Sequence, residues 1–185
     1  MRKSSSSPQL FHGFLRILTL IFAMLTSGMA LASGDRFFDA GLGDFRAELA
    51  TAQKEGKRGL LLMFEAEGCP YCRRMREQVL SHDEVQVYFR RHFAVFSVDV
   101  LGDVRVTDFT GAEVSEKMFA RSMRVRGTPT FIFVGLDGKE LTHYSGATKD
   151  AREFLQLGRY VAEGRYVNQS FEQFYPEAKA ERKKP

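Results

Sequence analysis

Gly59-Leu60-Leu61-Leu62-Met63-Phe64-Glu65-Ala66-Glu67-Gly68-Cys69-Pro70-Tyr71-Cys72 holds an apolar run that ends in a cysteine pair. The run is broken only by Glu65 and is flanked by glycines, which suits a strand buried on both faces. Pro70 sits where a helix begins, since proline is favoured at the first helical position and Cys69 then becomes the N-cap. Cys69 and Cys72 are the only cysteines in the chain. With no third thiol they pair with each other, share a metal, or stay reduced. A dithiol at this spacing, on a strand-to-helix junction, is the sequence form of a reversible redox centre.

Each other reading of the pair meets a difficulty. Haem attachment needs a histidine directly after the second cysteine, and Arg73 stands there. Zinc needs two more ligands, and His82, His92 and His143 show no ligand spacing. A structural bridge this short restrains few unfolded conformations, so stabilisation is a weak reason for it. No metal site is expected, and the redox group is the Cys69–Cys72 pair itself, with no separate cofactor.

The chemistry follows from position on the helix. Unpaired N–H groups and the dipole at a helix start favour a thiolate at Cys69. Arg73, Arg74 and Arg76 add positive potential nearby. Cys72 lies further from that positive end, which makes it the resolving thiol. Cys69 would attack a substrate disulfide, and Cys72 would then release the reduced substrate.

Upstream, residues 1–32 read as an export signal. Arg2, Lys3 and Arg16 precede or flank an apolar stretch of about 15 residues, and Ala30-Leu31-Ala32 suits cleavage after Ala32. An uncleaved anchor is the other reading. Residues 1–32 hold three basic and no acidic residues, so the remaining chain carries 24 basic and 23 acidic ones. The whole-chain charge of +4 therefore does not imply nucleic acid, and no basic stripe with interleaved aromatics remains.

Residues 33–175 are of a size for one domain. Asp44 is placed to cap a helix carrying Phe45, Leu49 and Ala52, with Gly56 as its stop. After the dithiol helix, with Cys72, Met75 and Val79 inward, Ser81 or Asp83 opens a helix carrying Val85, Tyr88 and Phe89. Residues 93–100 form a second buried strand. Residues 101–114 form a short hairpin insertion, either a substrate-recognition rim or a tolerated addition. Ser115 opens a helix with Met118, Phe119, Ser122 and Met123 inward. Residues 130–134 are a strand, Asp137-Gly138 a hairpin turn, and a further strand runs through Tyr144. Thr148 caps a helix whose inner face is Ala151, Phe154, Leu155, Gly158 and Val161. An aromatic extension with Tyr166, Phe171, Phe174 and Tyr175 packs back on the domain, and residues 176–185 are a charged, frayed tail. The expected class is α/β, a mixed central sheet flanked by helices.

A second stretch, Val125-Arg126-Gly127-Thr128-Pro129-Thr130-Phe131-Ile132-Phe133, stands 57 residues beyond Cys72 when counted to Pro129. With the dithiol and the element order, it resembles the thioredoxin-family segment in which a cis-proline begins a strand facing the cysteines. The resemblance covers about residues 40–163. It implies a thioredoxin fold with a small insertion before the cis-proline segment, a cis Pro129, and a Thr128 backbone offered to an extended substrate. Pro70 and Tyr71 join these as candidate substrate-binding residues. Export, Cys-Pro-Tyr-Cys, the insertion and the aromatic extension look like the periplasmic thioredoxin-related proteins of the SoxW kind. That likeness implies a monomeric periplasmic thiol–disulfide oxidoreductase, a reductase of exported client proteins fed by a membrane thiol-electron donor. A disulfide-forming oxidase is the alternative within this chemistry, and a periplasmic copper- or zinc-binding module the alternative outside it.

Two departures stand out. Gly68 occupies the place of the family's tryptophan, and Met63 that of its buried carboxylate. Glu65 shares the strand parity of Met63 one step nearer the dithiol, so it is the candidate proton acceptor for Cys72.

Overall fold

The computed structural model of the chain describes residues 37–41 and 43–176. The export-signal reading of residues 1–32 and the tail beyond Pro176 lie outside the described residues.

The elements in chain order are α1 (Phe45–Lys54), β1 (Gly59–Glu65), α2 (Pro70–Gln78), α3 (Asp83–His92) and β2 (Phe93–Asp99). Then come β3 (Arg105–Thr107), β4 (Glu113–Ser115), α4 (Glu116–Ser122), β5 (Thr130–Gly135) and β6 (Glu140–Ser145). The chain closes with α5 (Ala151–Ala162), a 3₁₀ turn (Arg165–Val167) and α6 (Phe171–Phe174). Four strands form the main sheet in the order β2-β1-β5-β6. β1 runs parallel to β2 and antiparallel to β5, and β5 is antiparallel to β6. The sheet is mixed and flanked by helices, as its pattern of apolar runs and helical faces implies.

β1 is buried along its length, with Glu65 alone half-buried. Its side chains alternate between two cores. Leu61 and Met63 pack with Met75 of α2, Val85 and Phe89 of α3, and Phe154 and Leu157 of α5. Leu60, Leu62 and Phe64 pack with Phe45, Leu49 and Ala52 of α1 and with Phe119 of α4. Phe154 is ringed by Phe37, Phe89 and Phe131 at centroid distances of 6.1, 4.5 and 5.0 Å. Emptying such a site costs about 3–5 kcal/mol. Gly158 lets α5 approach α3, because a Cβ there would lie 2.8 Å from the Phe89 ring.

The local signals held where they were strongest. Asp44 caps α1 by accepting from Ala47 N–H at 2.9 Å. The insertion folds as a two-stranded antiparallel hairpin, β3 with β4. The aromatic extension returns, with Phe171 against Tyr144 and Tyr160 at 5.8 and 5.5 Å.

Three expectations fail. α5 is capped by Asp150, which accepts from Glu153 N–H at 2.9 Å. Thr148 is instead buried, its hydroxyl donating to the Asp150 carbonyl at 3.2 Å and lying 3.6 Å from Met75 Sδ. In α4 it is Phe119 and Ala120 that face the core. Met118 is 47% exposed, and Ser122 is exposed with its hydroxyl bonded to the Phe119 carbonyl. The helix is seven residues long, too short for periodicity alone to fix its rotation.

Beyond α4, the N–H of Val125 reaches Ala120 O and that of Arg124 reaches Arg121 O, at 3.0 and 2.9 Å. This doubled closure needs a left-handed residue, usually glycine. Arg124 supplies it at φ +58°, the one non-glycine positive φ among the described residues. The left-handed conformation costs an L-residue about 1–2 kcal/mol.

Candidate active site

The sheet order gathers three distant segments at one end. β1 lies between β2 and β5, and Glu65 stands beside Asp99 while Phe64 stands beside Thr130. The residues that follow β1, those that follow β2 and those that precede β5 therefore leave the sheet together. The first group carries the dithiol, the second leads to the insertion, and the third carries Thr128-Pro129.

Cys69 caps α2, with Pro70 in the first turn. Gly68 before it has φ +76°, a conformation a tryptophan would adopt only under strain. That accounts locally for the missing aromatic. Cys69 and Cys72 are joined by a disulfide with Cα atoms 5.3 Å apart. The two sulfurs are not equivalent. Cys72 is 3% exposed and packs into the core with Met75, whereas Cys69 is half-buried. Two donors converge on Cys69 Sγ: Cys72 N–H at 3.1 Å and the Thr128 hydroxyl at 3.3 Å. Both would hold a negative sulfur better than a neutral one.

The Thr128–Pro129 peptide bond is cis. Pro129 is buried and Thr128 half-buried. Among the described residues, neither the N–H nor the carbonyl of Thr128 takes part in a backbone–backbone hydrogen bond. Tyr71, between the cysteines, is 63% exposed. The sequence placed Thr128 near Cys69 through its backbone. The side-chain hydroxyl was missed, although a threonine before a proline facing a thiol is itself a signal of a donor.

Glu65 keeps company other than that expected. Its carboxylate accepts from Arg76 Nε at 2.9 Å, from Arg76 Nη2, and from the Ser97 hydroxyl. Arg76 also lies over the Phe38 ring, its guanidinium carbon 4.4 Å from the centroid. A carboxylate held by a two-pronged guanidinium and a hydroxyl has three of its roughly four lone-pair positions taken up, and among the described residues no hydrogen bond joins it to either sulfur. The proton-acceptor role expected for Glu65 has no support in this geometry. Of the arginines of α2, only Arg76 has its charge offset by a carboxylate among the described residues. Arg74 donates to the carbonyls of Thr148 and Lys149, and Arg76 is spent on Glu65. Arg73 alone of the three is exposed. Arg76 follows Cys72 by one helical turn, so its inward face was readable.

Among the described residues, no three His, Cys, Asp or Glu side chains gather as a metal site would require. His92 stacks edge-on to Tyr88 at 4.4 Å, and burial, then Arg91 and Arg58, push its pKa down. His143 lies 3.6 Å from Glu140.

The model of the thioredoxin-like domain family matches residues 45–162. No curated protein matches the chain in sequence. Among solved structures, a thioredoxin-fold protein from Helicobacter pylori is similar at 22% identity and a TM-score of 0.59, covering 80% of this chain and 91% of its own. A thioredoxin from Thermus thermophilus is 32% identical, with a TM-score of 0.52 over 68% of this chain and 90% of its own. DsbH oxidoreductase is 18% identical, with a TM-score of 0.51 over 76% and 96%.

Proposed function

Because the chain belongs to the thioredoxin-like family and is a thiol–disulfide oxidoreductase built on Cys69 and Cys72, we propose that it reduces disulfides in partner proteins, with Cys69 as nucleophile and Cys72 as resolver. One observation carries this reading: the half-buried sulfur receives two hydrogen-bond donors, while its partner is almost wholly enclosed. The reduced Cys69 thiolate attacks one sulfur of a client disulfide. A Cys69–client bond forms, the client S–S bond breaks, and the departing client thiolate takes up a proton. Cys72, losing its proton, then attacks Cys69 Sγ, closing the Cys69–Cys72 bond and freeing the second client thiol. Two electrons pass from dithiol to client.

Thr128 and Pro129 would hold an extended client segment, in keeping with Thr128 backbone groups that make no backbone–backbone hydrogen bond among the described residues. Pro70 and Tyr71 would form the opposite margin. The signal-like N-terminus favours action in the periplasm, where a membrane thiol-electron donor would restore the dithiol. The subfamily reading, SoxW-like, rests on the Cys-Pro-Tyr-Cys sequence, the insertion and the aromatic extension.

In an extract of exported proteins, Cys72→Ala should accumulate mixed disulfides on Cys69, and Cys69→Ala none. Trapping by neither, or by the wrong cysteine, sinks the assignment of roles. The direction is read from the reduction potential. A value near the thioredoxin end, about −270 mV, supports a reductase, and one near −120 mV makes the protein an oxidase.

A further inference from the structure

The loop that follows β6 is bonded to both segments that meet at Cys69. At its start, Gly146 N–H donates to the Pro129 carbonyl at 2.8 Å. Two residues on, the carbonyls of Thr148 and Lys149 accept from Arg74 Nη2 and Nη1 at 2.8 and 3.2 Å. Pro129 directly follows Thr128, whose hydroxyl reaches Cys69 Sγ. Arg74 lies on α2, the helix that Cys69 caps. Residues 146–149 therefore join the cis-proline segment to the dithiol helix by a second route, independent of the contact at the sulfur.

The loop is itself held in place. Thr148 is fully buried, its hydroxyl bonded to the Asp150 carbonyl and 3.6 Å from Met75 Sδ on α2. Lys149 N–H donates at 2.7 Å to the Glu153 carboxylate, which is buried and also accepts from the Tyr144 hydroxyl. Arg74, by contrast, has no carboxylate partner among the described residues, and its Nε is buried without a hydrogen-bond partner. An unpaired buried donor costs stability, so packing alone does not account for an arginine here. What its planar fork supplies is a two-point grip on consecutive carbonyls.

We propose that Arg74 is a positioning residue for thiol exchange, and that it holds the Thr128 hydroxyl at Cys69 Sγ by bracing α2 against the 146–149 loop. This rests on Cys69 being the attacking thiol, as read above. With the brace in place, the donor is already oriented when the thiolate forms. When the brace is slackened, α2 and the start of β5 shift relative to each other and the hydrogen bond weakens. Cys69 then gives up its proton only at a higher pH.

The test is a double-mutant cycle on the reduced protein. Alkylation by iodoacetamide is followed against pH, with the labelled cysteine identified by mass spectrometry, and exchange with a disulfide-bonded peptide is timed at neutral pH. Arg74→Gln should move the onset of Cys69 alkylation to higher pH and slow exchange about fivefold, within the range for coupling through packed and hydrogen-bonded contacts. In the Thr128→Val background the same substitution should change neither. A glycine inserted between Ala147 and Thr148 leaves Arg74 and its charge in place, and it should act as Arg74→Gln does. Wild-type alkylation in Arg74→Gln overturns the brace, whatever the melting temperature of the variant. A shift of equal size with and without the Thr128 hydroxyl also overturns it, since that would mark a direct effect of charge on the sulfur. Wild-type alkylation of the insertion variant does the same. Labelling of Cys72 before Cys69 in the wild type overturns the assignment of the two cysteines, and the brace with it.

Discussion

The two flanks of the dithiol spend their charges differently. On the β2 side, charged groups are consumed internally. Lys117 pairs with Asp103 at 2.6 Å, Arg105 with Glu113 at 3.6 Å, and Asp108 holds the hairpin turn through Thr110 and Ala112. Glu65, Arg76 and Ser97 close on one another between β1, α2 and β2. On the β5 side Arg121, Arg124 and Arg126 are exposed, and only Arg124 of the three pairs with an acid among the described residues, namely Glu140. The backbone of Thr128 makes no backbone–backbone hydrogen bond among those residues. The first flank is a built wall. The second is left open, and it is the one from which a hydroxyl reaches Cys69. A polar group near a reactive sulfur is thus informative about chemistry only after its other partners have been counted.

The largest expected effect tests the wall. Arg76→Met leaves the mostly buried Glu65 carboxylate without its guanidinium and should lower unfolding free energy by about 1–3 kcal/mol, less than for a fully buried pair because both groups keep some solvent. Denaturant unfolding measures this. The pH–rate profile of exchange should stay as in the wild type, and a displaced profile would place the cluster in the chemistry and break the contrast between the flanks.

Next in size is the open side. Thr128→Val keeps the shape and removes the donor to Cys69. Loss of one hydrogen bond to a charged sulfur should slow exchange about tenfold at neutral pH. Alkylation of the reduced protein should switch on at a higher pH than in the wild type. Unchanged alkylation would mean that the hydroxyl has no hold on the thiolate.

The smallest effect returns to the wall. Burial, followed by the nearby Asp99 charge, raises the pKa of Glu116 above 4.5, with the Asp99 N–H opposing them. An acid whose folded pKa is raised costs nothing while protonated in both states. Its penalty grows as pH climbs from the unfolded value through the folded one. Glu116→Gln keeps an acceptor for Asp99 N–H and should stabilise by about a few tenths of a kcal/mol at neutral pH, with no gain at pH 4 or below. Equal gain at both pH values would show that charge is not the cause.

Much of this organisation was legible in the sequence. The β1 run, the Asp137-Gly138 turn and the α5 face declared themselves because local propensity and burial agree there. Cys69 as N-cap followed from Pro70 alone. What escaped depended on long-range choices. Both Thr148 and Asp150 can cap a helix, and contact with Met75 on a distant helix decided between them. Glu65 had the right parity for the dithiol face, but parity cannot tell which side chain on that face will take the carboxylate. Met118 failed because a seven-residue helix offers too few turns to define its inner side.

The contacts at Cys69 differ in their reach along the chain. Cys72 N–H is three residues away, and the Thr128 hydroxyl 59. The disulfide can close in an unfolded chain, whereas the surroundings that distinguish its sulfurs exist only after β1 and β5 have met. Folding and reduction are therefore two sides of one thermodynamic cycle. Whatever the fold does to the reduction potential equals the difference in folding free energy between the reduced and oxidised chains, about 1.4 kcal/mol for every 30 mV. A potential read in a redox buffer and a pair of unfolding curves, with and without reductant, must agree. The stability of this chain is in that sense a second record of its appetite for electrons.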